Sequence, residues 1–359
     1  MHLAHATLRG VAPFGELQAD FCDEHGKPRA ITIVHGGAGV GKTTLLQALA
    51  CTRPGHATVA SGLPPTDEGP PQVRCAWHLG EDEPARPHPL LVSTPGGSSS
   101  LLPPSSEDDG ALQRREQALF DRRAREQGGF VFLLFPANRW FSRQAVSLHA
   151  PSRSMLRYDV RATTSFDQAS SADLTRETKQ ALAYAAISSA LSGRREHGPT
   201  ERRRVDPRLL GAAMRETVDG IVRLTGMRYE GLDPLSFEPR FVSVGGRALD
   251  FDALPTRTRH LVAYVAITIK TLWAAYPTAD PRTAEGVVAI DDVDLHQDAH
   301  VMAELVPTLR SSLLGVQWIL TTASPTLAAS VAPGQILALR RLGEDEPVSL
   351  FVDAHARTH

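Results

Sequence analysis

Gly36, Gly37, Ala38, Gly39, Val40, Gly41, Lys42, Thr43 and Thr44 constrain this chain more than any other stretch. They match G-x-x-x-x-G-K-[ST] at every fixed position. An apolar, strand-like run, Ala30–Val34, precedes them and a helix-like run, Thr44–Ala50, follows. Glycines at this spacing let backbone N–H groups turn inward around an anion, and a helix N-terminus adds its positive dipole end. Lys42 is placed to bridge β- and γ-phosphate oxygens, and the Thr43 hydroxyl to ligate Mg²⁺. A Gly-rich strand-to-helix turn without a ligand is the plain alternative. The complete motif between a strand and a helix favours a nucleoside triphosphate.

A second element comes late. Gly286–Ile290 is an apolar strand pattern that ends in Asp291 and Asp292, the pattern called Walker B. Such a strand delivers Asp291 to the Mg²⁺ side of a triphosphate, and Asp292 to a place where it can orient or deprotonate an attacking water. Strand ends often carry acids, so this signal takes its meaning from the complete loop at Gly36. Most of the chain lies between the two motifs, far more than in compact kinases or GTPases.

The intervening sequence is uneven. Residues 52–110 are crowded with Pro, Gly and Ser, and the tip at Thr94–Asp109 reads as a flexible loop. A charged helix is expected over Ala111–Gln127, then a buried strand over Phe130–Phe135 stopped by Pro136. Helices are expected over Ala172–Ser192 and, with Asp206 as N-cap and Pro207 at N1, from there to about Leu224. Arg240–Val244 and Arg247–Phe251 read as a hairpin turning at Gly245-Gly246, and Thr256–Tyr276 as a long helix.

Composition excludes some classes. The net charge of −2 is no polycation seeking nucleic acid, so any such surface has to be local. Cys22, Cys51 and Cys75 are odd in number and lack C-x-x-C spacing, which suggests a reducing compartment and no zinc site. His25, His35, His56, His78 and His88 lack metal-ligand spacing and read as surface residues. No signal peptide or bilayer-spanning segment is recognisable, so a soluble cytoplasmic protein is expected.

At this point the chain resembles ATP-binding-cassette-type ATPases of the SMC/RecF/OLD group, including small bacterial members linked to DNA repair and phage defence. The likeness spans nearly the whole chain. The segment from Leu8 through Pro13, Phe14 and Leu17 is similar to that group's opening strand and turn, which pack beside the adenine. Asp291-Asp292-Val293-Asp294-Leu295-His296 resembles its D-E-x-D-L-H segment, where Walker B runs into the D-loop. Gln317 to Pro325 resembles its Q-[FV]-I-[VL]-T-T-H-S-P strand and switch. Leu254-Pro255-Thr256-Arg257-Thr258-Arg259-His260 occupies the place of the L-S-x-G-x-[RQ] signature. The resemblance implies ATP and Mg²⁺ as ligands and a homodimer that sandwiches ATP. Thr256, Arg257 and Arg259 would then be contacts in trans, and Asp294 and His296 a D-loop.

The departures bear on turnover. The catalytic acid, usually Glu, is Asp292, about 1.3–1.5 Å shorter in reach. A miss of that size costs on the order of a hundredfold in rate. The switch histidine is Ala323, and the signature lacks its glycine. Asp294 and His296 either compensate or simply cap a loop. Pro136 to Trp140 resembles a P-A-x-R stretch near the Q-loop, where Asn138 or Gln144 can stand in for the glutamine or form an ordinary turn. The Arg-rich cluster Arg194–Arg208 reads either as a phosphate-contacting surface for DNA or RNA or as a solvated charge run.

The expected fold is α/β: a P-loop NTPase with a mixed central sheet, an antiparallel N-terminal lobe and an inserted helical lid subdomain. Residues 1–55 and 236–359 would form a split nucleotide-binding domain. Residues 56–110 would form an insertion, and 111–235 would supply strand 130–135 plus the lid. The expected function is a slowly hydrolysing ATPase, with Lys42 and Asp292 catalytic, acting as a dimerisation switch in genome maintenance or anti-phage defence and controlling a separate effector. The alternative is a degenerate ATPase serving as a nucleotide-stabilised scaffold. The long separation of the motifs disfavours a small-molecule kinase.

Overall fold

The computed structural model describes residues 1–52, 62–67, 69–78, 90–93, 131–150, 171–192, 206–276, 279–344 and 346–352. The expected helix at Ala111–Gln127, the loop tip at Thr94–Asp109 and Arg194–Arg204 of the arginine cluster lie outside these residues. The elements run β1 (His2–Arg9), β2 (Glu16–Asp20), β3 (Ile31–His35), α1 (Lys42–Cys51), β4 (Gln72–His78), β5 (Leu90–Ser93), β6 (Phe132–Phe135), β7 (Asn138–Trp140) and β8 (Ser171–Asp173). They continue with α2 (Thr175–Ser192), α3 (Pro207–Val222), β9 (Met227–Leu232), β10 (Pro239–Ser243), β11 (Ala248–Asp250) and α4 (Thr256–Ala275). The last are β12 (Gly286–Ile290), α5 (Ala299–Ser312), β13 (Val316–Thr322), α6 (Pro325–Ala329), β14 (Ile336–Arg340) and β15 (Ser349–Val352).

A six-stranded sheet ordered β15-β14-β3-β13-β12-β6 forms the centre. Its five inner and far strands run parallel, and only β15 is antiparallel, so the sheet is mixed. Parallel strands are covered on both faces, which is why these read as unbroken apolar runs. The period of two sorts their side chains between two cores. Ile31, Ile33, Val288, Ile290, Trp318 and Leu320 face the core built with α2 to α5. Val34, Val287, Ala289, Ile319 and Leu337 face the opposite core, shared with α1 and with a second sheet. That second sheet is antiparallel and ordered β2-β1-β4-β5. Together these layers make an α/β P-loop fold with an antiparallel N-terminal sheet.

The helical face is built around α4, which is buried nearly all round from His260 to Lys270. A helix apolar on every side belongs in the middle of a core. Its Lys270 pairs with Glu177 of α2. The fully buried Lys179 ammonium lies 2.8 Å from Asp252 and 3.0 Å from Glu238, so α2 is tied to the β9–β11 sheet by paired charge. Helix α2 starts at Thr175 rather than Ala172. Ser171–Asp173 pair with β7 instead, and the Asp173 carboxylate accepts from the Thr175 N–H at 3.0 Å, which opens the helix there.

One buried amide joins the two sheets. Strand β2 pairs with β1 only from His5 onward, and the β1–β4 register slips between Leu3 and His5. Leu3 therefore directs its N–H to the Gln317 side-chain oxygen at 2.7 Å, and its C=O accepts from the Gln317 amide at 2.9 Å. Gln317 stands on β13, beside the P-loop strand. Replacing it by leucine leaves both Leu3 groups buried and unpaired, at about 1–3 kcal/mol each. Gln317→Leu is expected to lower unfolding stability by roughly 2–6 kcal/mol in urea titrations; a loss below ~1 kcal/mol would show that the clip contributes little.

Candidate functional site

Backbone conformation and crowding explain the glycines of the loop between β3 and α1. Gly39 and Gly41 have φ of 74° and 87°, in the left-handed region that favours glycine. A Cβ at Gly41 would also lie 2.6 Å from the Phe14 ring and 2.7 Å from Pro13. A Cβ at Gly36 would lie 2.7 Å from the Leu339 carbonyl oxygen. The turn at Pro13-Phe14 thus sits hard against the start of α1. Lys42, largely buried, donates to the carbonyls of Gly36 at 2.9 Å and Gly37 at 2.8 Å. Its ammonium is held over the loop, where backbone N–H groups and helix α1 also favour an anion.

The strand order brings the second element to this loop. Strand β13 separates β3 from β12, and all three end at the same edge. The buried Asp291 carboxylate receives two hydroxyls: Thr43 donates to Oδ2 at 2.6 Å, and Thr321 to Oδ1 at 2.6 Å. The Thr321 oxygen in turn accepts the Asp292 N–H at 2.7 Å. Thr43 and Asp291 present adjacent hard oxygen donors, the set that suits Mg²⁺.

Asp292 follows with φ of 41°, a left-handed backbone that Asp tolerates better than most residues. Its half-buried carboxyl is held above the ordinary range by burial and then by the Asp291 charge, against the opposing pull of Lys42. Arg139 fixes the backbone of both acids. Its buried guanidinium donates to the carbonyls of Pro136 at 2.7 Å, Asp291 at 2.6 Å and Asp292 at 2.8 Å, and lies 5.3 Å from the Tyr264 ring centroid. The P-A-x-R stretch therefore contributes its arginine. Asn138 is exposed, and Gln144 donates to Ser142 at 2.8 Å and to Asp173 at 2.9 Å.

A cavity of about 680 Å³ opens over these groups, lined by Ala38, Gly39, Gly41, Lys42, Thr43 and Thr44 of the loop and by Asp292, Asp294, Leu295 and Ala323. Ala12, Pro13 and Pro64 form its far wall. Its size is that of a small-ligand site. Asp294 Oδ1 is buried without a hydrogen-bond partner among the described residues. His296 instead stacks on His260 of α4, with ring centroids 5.4 Å apart. Burial and the nearby Arg139 charge push His260 down to about 3, so that imidazole stays neutral. Thr256, Arg257 and Arg259 stand apart from the cavity at the start of α4. Arg257 pairs with Asp298, and Arg259 donates to Thr256 at 3.1 Å and lies over Phe141. His35 is half-buried at the end of β3, opposite Thr322, rather than a surface residue. Its burial lowers its proton affinity, against a bond to the Ala323 backbone.

No protein-family model matches this chain, and no curated protein matches it. Solved structures do. The SMC head bound to the C-winged helix domain of ScpA aligns over 100% of both chains with a TM-score of 0.55 and 13% identity. An Smc head domain with an extended coiled coil, bound to the C-terminal domain of ScpA derived from Pyrococcus furiosus, aligns over 98% of this chain and 96% of that one, with a TM-score of 0.50 and 15% identity. The chain shares the fold of these SMC heads.

Arg139→Leu is expected to leave the Asp291 and Asp292 carbonyls without their charged donor and to cost about 2–4 kcal/mol of stability. It should also weaken Mg²⁺-dependent nucleotide binding, read by calorimetry with and without the ion. Equal binding in both conditions, with stability unchanged, would remove Arg139 from the site.

Proposed function

We propose that this chain binds ATP with Mg²⁺ and hydrolyses it slowly, as an SMC-like switch. The observation that carries this reading is the hydroxyl–carboxylate chain Thr43–Asp291–Thr321 at the mouth of the glycine loop. In it, Lys42 leaves the loop carbonyls for the β- and γ-phosphates, and the loop N–H groups hold the remaining charge. Thr43 and Asp291 would hold Mg²⁺, which supplies charge neutralisation to the phosphates. Asp292 orients an attacking water and accepts its proton. Ala12, Pro13 and Pro64 offer the apolar wall for the base.

In this reading residues 1–55 and 236–359 act as one nucleotide-binding domain. Residues 56–110 form an insertion, and 111–235 add strand 130–135 and a helical lid. Two copies sandwich ATP, with the start of α4 reaching the partner's nucleotide through Thr256, Arg257 and Arg259, while Asp294 and His296 act as a D-loop. ATP binding then joins the copies and hydrolysis releases them. A separate effector protein is the proposed partner, as the similar SMC heads are bound to domains of ScpA, and genome maintenance or anti-phage defence is the proposed setting. The Arg194–Arg208 cluster is a further candidate surface for nucleic acid. A cytoplasmic site of action belongs to this proposal; among the described residues no helix is long and apolar enough to cross a membrane.

A second reading, a nucleotide-stabilised scaffold without turnover, is favoured by Ala323, which places no polar side chain in the cavity. Phosphate release decides between them. Lys42→Ala is expected to weaken ATP binding roughly 10- to 100-fold, the loss of a charged hydrogen bond. Asp292→Asn is expected to keep ATP bound and to slow release by about 10²–10⁴-fold. Because the Asp292 carboxyl is raised, it must be ionised at higher pH before it can act as a base. The acid limb of the rate should therefore lie above the ordinary carboxylate value of about 3.9. Release by the unaltered chain no faster than by Lys42→Ala, with ATP still bound, would establish the scaffold; absence of ATP binding would overturn both readings.

A further inference from the structure

The outer face of the antiparallel sheet carries donor groups that the nucleotide site does not use. The register slip between Leu3 and His5 sets both Ala4 and His5 opposite Ala76, and so turns the His5 ring onto this face. At the end of β2 the Asp20 carboxylate accepts the Cys22 N–H at 2.7 Å, which folds the chain back and brings the thiol beside it. An isolated bridge from Cys22 to Pro28 fixes the same turn, and Cys22 packs with Ala4 and Ala76. His5 Nδ1 lies 3.2 Å from Asp20 Oδ1. The His5, Asp20 and Cys22 donor atoms all lie within 4.8 Å of one another.

We propose that His5, Asp20 and Cys22 bind one transition-metal dication of the zinc class, separate from the Mg²⁺ of the nucleotide site. Nitrogen, oxygen and sulfur donors together select zinc-like ions over magnesium or calcium. In a tetrahedral site with bonds of 2.0–2.3 Å, donors stand about 3.3–3.8 Å apart. His5 Nδ1 and Asp20 Oδ1, at 3.2 Å, are close to that, all three donors lie within 4.8 Å, and the half-exposed His5 ring is free to adjust. Three protein ligands leave a fourth position for solvent. On binding, Cys22 gives its proton to solvent as its sulfur bonds the metal, and its long contact to the Ala4 carbonyl at 3.7 Å is lost. Burial and the Asp20 charge push the free thiol up to about 11, and a dication reverses that balance. His78, on the neighbouring strand, also faces this side; its proton affinity is lowered by burial and by the His5 charge.

The site would staple β1 to the turn that leads into the P-loop strand. The short spacing of Asp20 and Cys22, with His5 on another strand, matches no zinc motif, so counting cysteines missed it. The test is Co²⁺ titration of the reduced, chelator-stripped full chain without nucleotide. One equivalent should bind, with a thiolate-to-cobalt charge-transfer absorption that Zn²⁺ displaces. Cys22→Ser should abolish the absorption, and His5→Ala should weaken binding by roughly tenfold or more. His5 is exposed, so that variant keeps its fold, checked by circular dichroism. Cys51→Ser and Lys42→Ala should bind Co²⁺ as the parent does. No absorption in the parent, absorption that survives Cys22→Ser, or binding indifferent to His5→Ala would each overturn the proposal.

Discussion

The buried Asp291 carboxylate is the point on which the site depends. A carboxylate this far from water is stable only if its oxygens are satisfied, and each takes one hydroxyl, from Thr43 of α1 and from Thr321 of β13. Those two bonds join the P-loop helix to two strands from the end of the chain. They also mean that the carboxylate is positioned before any cation arrives. In the proposed Mg²⁺ role, Thr43 and Asp291 would offer an ion oxygen donors that are already adjacent, so little ordering would remain at binding.

Arg139 performs the matching task for the backbone. Asp292 lies in a left-handed conformation, which costs about 1–3 kcal/mol for a residue with a side chain unless its surroundings hold it there. The Arg139 guanidinium binds the carbonyls on both sides of the turn, and the Thr321 hydroxyl takes the Asp292 N–H. The acid is thereby aimed into the cavity rather than along the strand. Tyr264 and His260 of α4 lie beside this cation, and His260 stacks on His296, so the central helix and the segment after Walker B share one packed cluster.

Much of the fold was legible because its signals are local. The loop Gly36–Thr44 is contiguous, and the apolar runs at Ile31 and Gly286 are central parallel strands with both faces covered. Asp206 accepts the Arg208 N–H at 2.9 Å and Pro207 opens α3, where the capping pattern put them. What was not legible depends on partners distant in sequence. Arg139 acts on carbonyls, which leave no residue signature. Gln317 reads as part of a switch strand, yet its side chain clips Leu3 of another sheet. His35 carries no motif, and only the pairing of β3 with β13 sets it opposite Thr322. The start of α2 moved because Ser171–Asp173 found a strand partner, which tertiary context decides and local propensity does not.

The order of strands also constrains how the site comes to exist. The P-loop strand β3 pairs only with β13 and β14, both from the last part of the chain, and β12 lies beyond β13. Nothing near β3 in sequence gives it a neighbour in the central sheet. The antiparallel pair β1–β2, by contrast, is joined by a short local turn. Contacts of such long range cost loop-closure entropy before they return stability, which slows formation of the central sheet relative to local pairs such as β1–β2. The Thr43–Asp291 bond spans 248 positions and depends on β13 holding β3 and β12 side by side. The glycine loop is therefore written early in the chain, but the geometry that sets the Asp291 carboxylate against it belongs to the finished fold.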